Sequence, residues 1–182
     1  MEAETVTHRM DLAIKIVARP QDVWPWLLQL GYRRGGLYSY DWLDRIFGYL
    51  DAPSSKRILP EFQNVRVGDI IPIGRGPGFP VQAIEPERRL RLGGESQGVS
   101  WTWEFELQPI DEWHTELISR SRVETPDTVR SSVWMFILGL AAVIMTRRML
   151  IGLKRRAEAL VKNQCHEAMA RRLQRLIWHR ST

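Results

Sequence analysis

The chain has little cysteine: one residue, Cys165, among 182. No disulfide can form within it, which excludes a disulfide-stapled scaffold and makes a reducing compartment, the cytoplasm, the expected location. The opening residues, MEAETVTHRMDLAIK, carry acids early and no apolar stretch of signal-peptide length, so secretion is disfavoured. The four histidines, His8, His114, His166 and His179, show no metal-ligand spacing. Cys165 and His166 are adjacent, and on a helix their side chains diverge by about 100°. No metal and no cofactor are therefore expected, and no Ser-His-Asp or Cys-His set stands out. The glycine-rich stretch Gly74-Arg75-Gly76-Pro77-Gly78 is followed by Phe79-Pro80 and not by Lys-Ser/Thr. It is no phosphate loop and reads as a flexible loop over a cavity mouth. A long apolar run is also lacking. Only 16 residues separate Arg130 from Arg147. As a helix they would span about 24 Å, against about 30 Å of bilayer hydrocarbon.

What is present is a mixed, globular composition, 44% hydrophobic and 26% charged, with eight tryptophans. Such a chain can bury a core, and 182 residues suit one domain. Large aromatics fill cores and also line pockets for flat or greasy ligands. The net charge of +5 is unevenly spread. From Arg147 onward ten Lys/Arg face two acids, Glu158 and Glu167, a balance of +8; subtracted from the whole, this leaves −3 for the body. A basic tail could meet an anionic membrane or an acidic partner, and a solvated helix face explains it as well.

The pattern along the chain alternates between strand and helix periods. Residues 7–17 place Met10, Leu12, Ile14 and Ile16 on one side, a half-buried strand. Pro20 starts a helix with an apolar stripe of Val23, Trp26, Leu27 and Leu30, with Pro25 expected in its first turn and Gly31 ending it. A second short helix begins near Ser39 or Tyr40, with Trp42, Leu43, Ile46 and Phe47 as its apolar side. Residues 51–64 read as a loop. From Val65 short strands follow one another: VRVGDIIPI, FPVQAIEP, RRLRLGG, VSWTWEFELQP and WHTELISRSRVET. Trp101, Trp103, Phe105 and Leu107 share one face, as do Leu117, Ser119, Ser121 and Val123 on the next strand. The last element is a helix from Ser132 to about Lys162. Its first half, Val133 to Met145, is apolar all round, and its second half keeps a stripe of Met145, Met149, Leu153, Ala157 and Leu160. The expected architecture is α+β: a curved antiparallel β-sheet wrapped around a long C-terminal α-helix, with two short helices after the first strand. The domain should cover residues 1–163, and residues 164–182 should form a basic helical extension.

Several words of the sequence support a family resemblance. They are RPQDVWPWLLQLG, RGGLYSYDWLDRIFG, RILPEFQNVRVGDIIPIG, PGFPVQAIEPERRLRL, SWTWEFELQP and RRMLIGLKRRAE, in this order over nearly the whole chain. In them the chain resembles the SRPBCC superfamily, the START-like and Bet v 1-like helix-grip proteins that include polyketide cyclases, and is most similar to its uncharacterised bacterial members. The resemblance implies a sheet gripping the C-terminal helix, with a cavity between them for a hydrophobic small molecule or lipid. It transfers no catalytic set.

The residues expected around such a cavity are Trp26, Tyr38, Tyr40, Trp42, Trp101, Trp103, Ser119, Ser121, Phe136 and Leu140. Ordinary core packing explains any one of the aromatics as well. Asp41 and Glu61 are the acids that could serve as a general base in a cyclase-like or hydrolytic enzyme; a helix-start acid and a solvated loop acid are the plainer readings. Arg120 and Arg122 could hold an anionic headgroup or pair across strands with Glu104 or Glu106. The tail, ARRLQRLIWHR, carries Leu173, Leu176, Ile177 and Trp178 beside its basic residues and could lie on a membrane surface. Nucleic acid is not an expected partner, since no binding motif accompanies the charge. Monomer and homodimer are both compatible with the sequence.

Overall fold

Alternation builds the first strand. In β1 (Thr5–Ile16) the even-numbered side chains from Met10 to Ile16 turn inward, and burial deepens along the strand until Ile16 is fully enclosed. The computed structural model describes the backbone of residues 5–46, 48–76, 78–96, 98–126 and 133–178. It describes their side chains except at 5, 6, 96, 126, 133–138, 173 and 175–178.

After β1 come α1 (Pro20–Leu28), α2 (Asp41–Ile46) and a short 3-10 turn at Pro60–Phe62. The strands β2 (Ile70–Ile71), β3 (Phe79–Glu85), β4 (Arg89–Ser96), β5 (Val99–Pro109) and β6 (Thr115–Pro126) follow, and then α3 (Val133–Trp178). The sheet is six-stranded and antiparallel in the order β1-β6-β5-β4-β3-β2. The last strand therefore pairs with the first along its whole length, from Thr5 opposite Pro126 to Ile16 opposite Thr115. One face of the sheet meets α1 and α3. The other carries a row of alternating charge, Asp11, Arg120, Glu104 and Arg91, set side by side across four strands. On that row Arg120 pairs with Glu106 and Glu104, the cross-strand alternative for this arginine.

Several local expectations are corrected. The segment VRVGDIIPI contributes only the two residues of β2 to the sheet. Residues 66–69 form a turn instead, with Gly68 at φ +93°, the Asp69 amide bonded to the Arg66 carbonyl at 3.1 Å, and the Arg66 amide capped by the Asp69 carboxylate at 2.8 Å. Pro25 lies in the second turn of α1, because Pro20 is the first helical residue; there it removes one intrahelical bond.

The helix α2 is turned opposite to its hydrophobic pattern. Trp42 is 64% exposed and Ile46 71%, whereas Asp44 is wholly buried; Phe47 lies outside the described residues. A polar anchor overrides the apolar stripe. Ser39 Oγ donates to Asp44 Oδ2, and the Asp44 carbonyl accepts the Tyr49 and Leu50 amides at 2.7 and 3.1 Å. Six residues are too few for an apolar stripe to dictate orientation against such bonds.

Burial pushes the Asp44 carboxyl above its ordinary value of 3.8, aided by the Asp41 charge and opposed by the Ser39 bond. The folded pKa is thus raised above the unfolded one. The resulting stabilisation is present at acid pH and is lost as pH rises from about 3.8 through the folded value. Asp44→Asn should accordingly gain in melting temperature relative to wild type between pH 4 and pH 7. Thermal denaturation at the two pH values checks this, and an equal difference at both would refute it.

The helix α3 is 46 residues long, extends past Lys162, and crosses residues 163 and 164 without a break. Its stripe docks as the spacing predicts: Met149, Leu153 and Ala157 are buried, with Met145 and Leu160 partly so. The closest approach is at Gly152. A Cβ there would stand 2.0 Å from the Tyr38 carbonyl oxygen. Polar contacts fix the register below that point. Glu158 accepts the Val17 amide at 2.9 Å, Lys154 donates to the Lys15 carbonyl at 2.8 Å, and Arg156 donates to the Ser55 carbonyl at 2.7 Å. The expectation that the sheet also covers the first half of the helix is corrected at residues 139–144. Residues 139–144 are exposed, including Leu140 at 55%. The side chains of residues 133–138 lie outside the described residues. Among the described residues no helix is long and apolar enough to cross a membrane.

Candidate functional site

The sheet and α3 meet as a wedge. Leu107, Leu117, Ile16 and Ala157 are completely or almost completely buried at one end. Toward the other end of the same strands, Trp101, Trp103, Ser121, Val123 and Met10 are only partly covered. The gradient has a local cause. Glycine at 152 lets α3 touch the Tyr38 backbone, while the opposite end of the sheet faces helix residues with no such seat. An opening remains there.

Two adjoining recesses occupy the opening and share Trp103, Ala142 and Thr146. The first, about 150 Å³, lies between Leu37, Tyr49 and Ile73 on one side and Met145 and Met149 on the other. The second, about 170 Å³, is walled by Met10, Phe79, Trp101, Ser121 and Val123. Together they reach the lower end of the roughly 300–1,000 Å³ of small-molecule sites.

An aromatic chain lines the sheet side. Phe79 packs on Trp101 at 5.8 Å between ring centroids and on Trp103 at 6.3 Å, and Trp103 packs on Phe105 at 4.9 Å. Gly94 lies opposite Trp101 in β4, where a Cβ would come within 3.1 Å of the indole. The absence of a side chain lets the indole lie over the strand. The Trp103 indole N–H donates to Ser119 Oγ at 3.0 Å and is satisfied. The Trp101 indole N–H is buried and has no partner among the described residues. An indole nitrogen only donates, so what is missing is an acceptor.

The other expected residues are distributed as follows. Tyr38 is buried in the core at φ +58°, edge-on to Trp26 at 6.2 Å, accepting from Gln29 Nε2 at 2.9 Å and stacked under Arg156 at 4.4 Å. Burial holds its hydroxyl well above the usual tyrosine range, against the opposing pull of Gln29 and Arg156, so it stays protonated. Trp26 is likewise buried away from both recesses. Tyr40 is half-buried beneath the Arg148 guanidinium at 5.2 Å. Trp42 and Leu140 face solvent, and the Phe136 side chain lies outside the described residues. Asp41 caps Ser54, accepting its hydroxyl at 2.7 Å and its amide at 3.1 Å. Glu61 sits exposed on the 3-10 turn. Neither acid lines a recess. The structure thus brings together Trp101, Trp103, Ser119 and Ser121, and leaves Trp26, Tyr38, Tyr40, Trp42 and Leu140 apart from them.

Sequence reasoning missed Phe79, Met10, Ala142, Thr146 and the two methionines as lining. The Met145–Met149 spacing was visible, but it reads equally as core. A second omission is Gln29, fully buried, whose side chain also accepts the Leu59 amide at 2.9 Å and donates to the Arg57 carbonyl at 3.2 Å. It ties the loop after α1 to the loop before β2. Among the described residues no cluster of His, Cys, Asp and Glu could hold a metal ion.

No protein-family model matches the chain, and no curated protein does. Solved structures do. Protein MLL2253 from Mesorhizobium loti is 14% identical with a TM-score of 0.50, covering 84% of this chain and 98% of that one. Protein CV1439 from Chromobacterium violaceum is 14% identical with a TM-score of 0.50, covering 82% and 96%. Norcoclaurine synthase from Thalictrum flavum is 16% identical with a TM-score of 0.48, covering 88% and 97%. At these identities the likeness concerns the fold, and the fold is the helix grip expected from the sequence.

Proposed function

We propose that the protein binds a hydrophobic small molecule or lipid in the opening between the sheet and α3, as a carrier or receptor without catalysis of its own. The observation that carries this reading is the apolar, aromatic-walled recess, one of whose wall residues, Trp101, has an indole N–H without a partner among the described residues. A buried donor without an acceptor costs about 1–3 kcal/mol, and a ligand oxygen would offset that cost. The ligand is therefore apolar over most of its length, with a carbonyl, ether or hydroxyl oxygen near Trp101. Among the described lining residues there is no carboxylate that could act as acid or base.

A matched pair of probes tests the donor. Wild type should bind 1-acetylnaphthalene more tightly than 1-ethylnaphthalene, which has the same ring and no oxygen. In Trp101→Phe the affinity for the ketone should fall about three- to tenfold while that for the hydrocarbon stays within about twofold. The variant should itself be as stable as wild type or more so, because the orphaned donor is gone. Equal loss for both probes would reduce Trp101 to a wall, and no binding of either would remove the function.

A further inference from the structure

Farther along α3, on the C-terminal side of Gly152, lies a larger groove of about 500 Å³ between the loop after α2 and the helix. Its composition differs from that of the apolar recesses. Lys56 and Arg57 stand on the loop side, and Arg155 and Arg156 on the helix side. Ile58, Ala159 and Leu160 supply an apolar floor, and Trp26 closes one wall. Among the described residues, none of the four cations forms an ion pair with a carboxylate. Among the described lining residues Glu167 is the one acid, and it pairs with Arg171 at 3.6 Å.

Two features turn this from a solvated basic surface into a site. Arg156 is held in place, donating to the Ser55 and Gly152 carbonyls at 2.7 and 3.1 Å and stacking on Tyr38. A cation fixed by neutral carbonyls is pre-organised, and its charge is left for a ligand. Trp26 is 2% exposed, and its indole N–H has no partner among the described residues. The groove thus combines four positive charges unpaired among the described residues and an apolar floor, walled by a tryptophan whose donor is unmet among them. Every polar deficit in it is a deficit of acceptors, which an anion supplies.

We infer that this groove is a second binding site, for a soluble organic anion with an apolar or aromatic body and a terminal phosphate or carboxylate. The body lies on Ile58 and Leu160, and the anionic group meets Arg57 and Arg155 across the groove. This ligand is distinct from the occupant of the apolar opening, whose lining has no charge.

Phenyl phosphate and benzyl alcohol are the probes, followed by calorimetry and by the indole N–H resonance of Trp26. Phenyl phosphate should bind saturably, more weakly as salt rises, and should shift the Trp26 signal; benzyl alcohol should do neither. The triple variant K56Q/R57Q/R155Q changes three exposed side chains that form no hydrogen bond or ion pair among the described residues. It should bind phenyl phosphate at least about tenfold more weakly and keep wild-type affinity for N-phenyl-1-naphthylamine, a probe of the apolar opening. The wild-type salt dependence and Trp26 shift stand by themselves if the triple variant does not fold. Undiminished binding in the folded triple variant, or a Trp26 signal unmoved at saturation, would overturn the site. So would sedimentation with phosphatidylglycerol vesicles, lost in the variant, without any binding of phenyl phosphate; the cations would then serve a membrane surface.

Discussion

Gly152→Ala should destabilise the protein by at least about 3 kcal/mol, the cost of overpacking a site that cannot relax. At this chain length that lowers the melting temperature by roughly 6–12 °C. Helix propensity alone predicts the opposite sign, since alanine in a helix interior is favoured over glycine by about 1 kcal/mol. The contact decides. The added methyl would lie 2.0 Å from the Tyr38 carbonyl oxygen and 2.8 Å from its Cβ. Neither side can give way at low cost. Tyr38 is locked by Gln29, Trp26 and Arg156, and α3 is pinned on the next turn by Lys154, Arg156 and Glu158. Circular dichroism melts of the two proteins measure the difference. A loss under about 1 kcal/mol would mean that the helix seat is looser than described.

Ala142→Phe should abolish binding at the apolar opening while leaving the fold intact. Ala142 is exposed to solvent on α3 and borders both recesses. A phenyl ring there fills the space they share without displacing a buried side chain, so stability should move by less than about 1 kcal/mol. Binding of N-phenyl-1-naphthylamine, read by fluorescence, should weaken more than about tenfold. Ala141→Phe is the control: its residue lies about 100° around the helix and borders neither recess, so it should bind the probe as wild type does. If Ala142→Phe binds normally, the probe sits elsewhere and the opening is not the site. Trp103→Ala is the less informative choice. Trp103 separates the two recesses and also bonds Ser119 and packs on Phe105, so its loss mixes binding with core damage.

The strand half of this site was legible from period two. Alternation puts Trp101 and Trp103 on one face, and the register sets Trp103 opposite Ser121 and Phe105 opposite Ser119. The helical half was not. Along α3, Met145 and Met149 line a recess while Leu153 and Ala157 fill core, yet all four share one stripe. What separates them is the distance to the sheet, set at Gly152 by a carbonyl more than a hundred residues away in sequence. The short helix α2 shows the same limit from another side. Its apolar residues suggested a buried face, but Ser39 and the amides of Tyr49 and Leu50 turned Asp44 inward instead. Tyr38 reads as a pocket aromatic until its positive φ and its bond to Gln29 place it in the core. In each case the deciding interaction joins residues that no local pattern couples.

The seat at Gly152 also divides α3 energetically. From Met149 to Ala157 the helix is inseparable from the hydrophobic core, and breaking its backbone bonds there requires unfolding the domain. From Lys162 to Arg172 every described side chain is exposed, with Arg171 and Glu167 pairing one turn apart. Those turns draw on helix propensity and surface pairs worth a few tenths of a kcal/mol each. One continuous backbone thus runs from a packed segment into an exposed one. The exposed turns from Lys162 to Arg172 should therefore exchange their backbone amides faster than those from Met149 to Ala157.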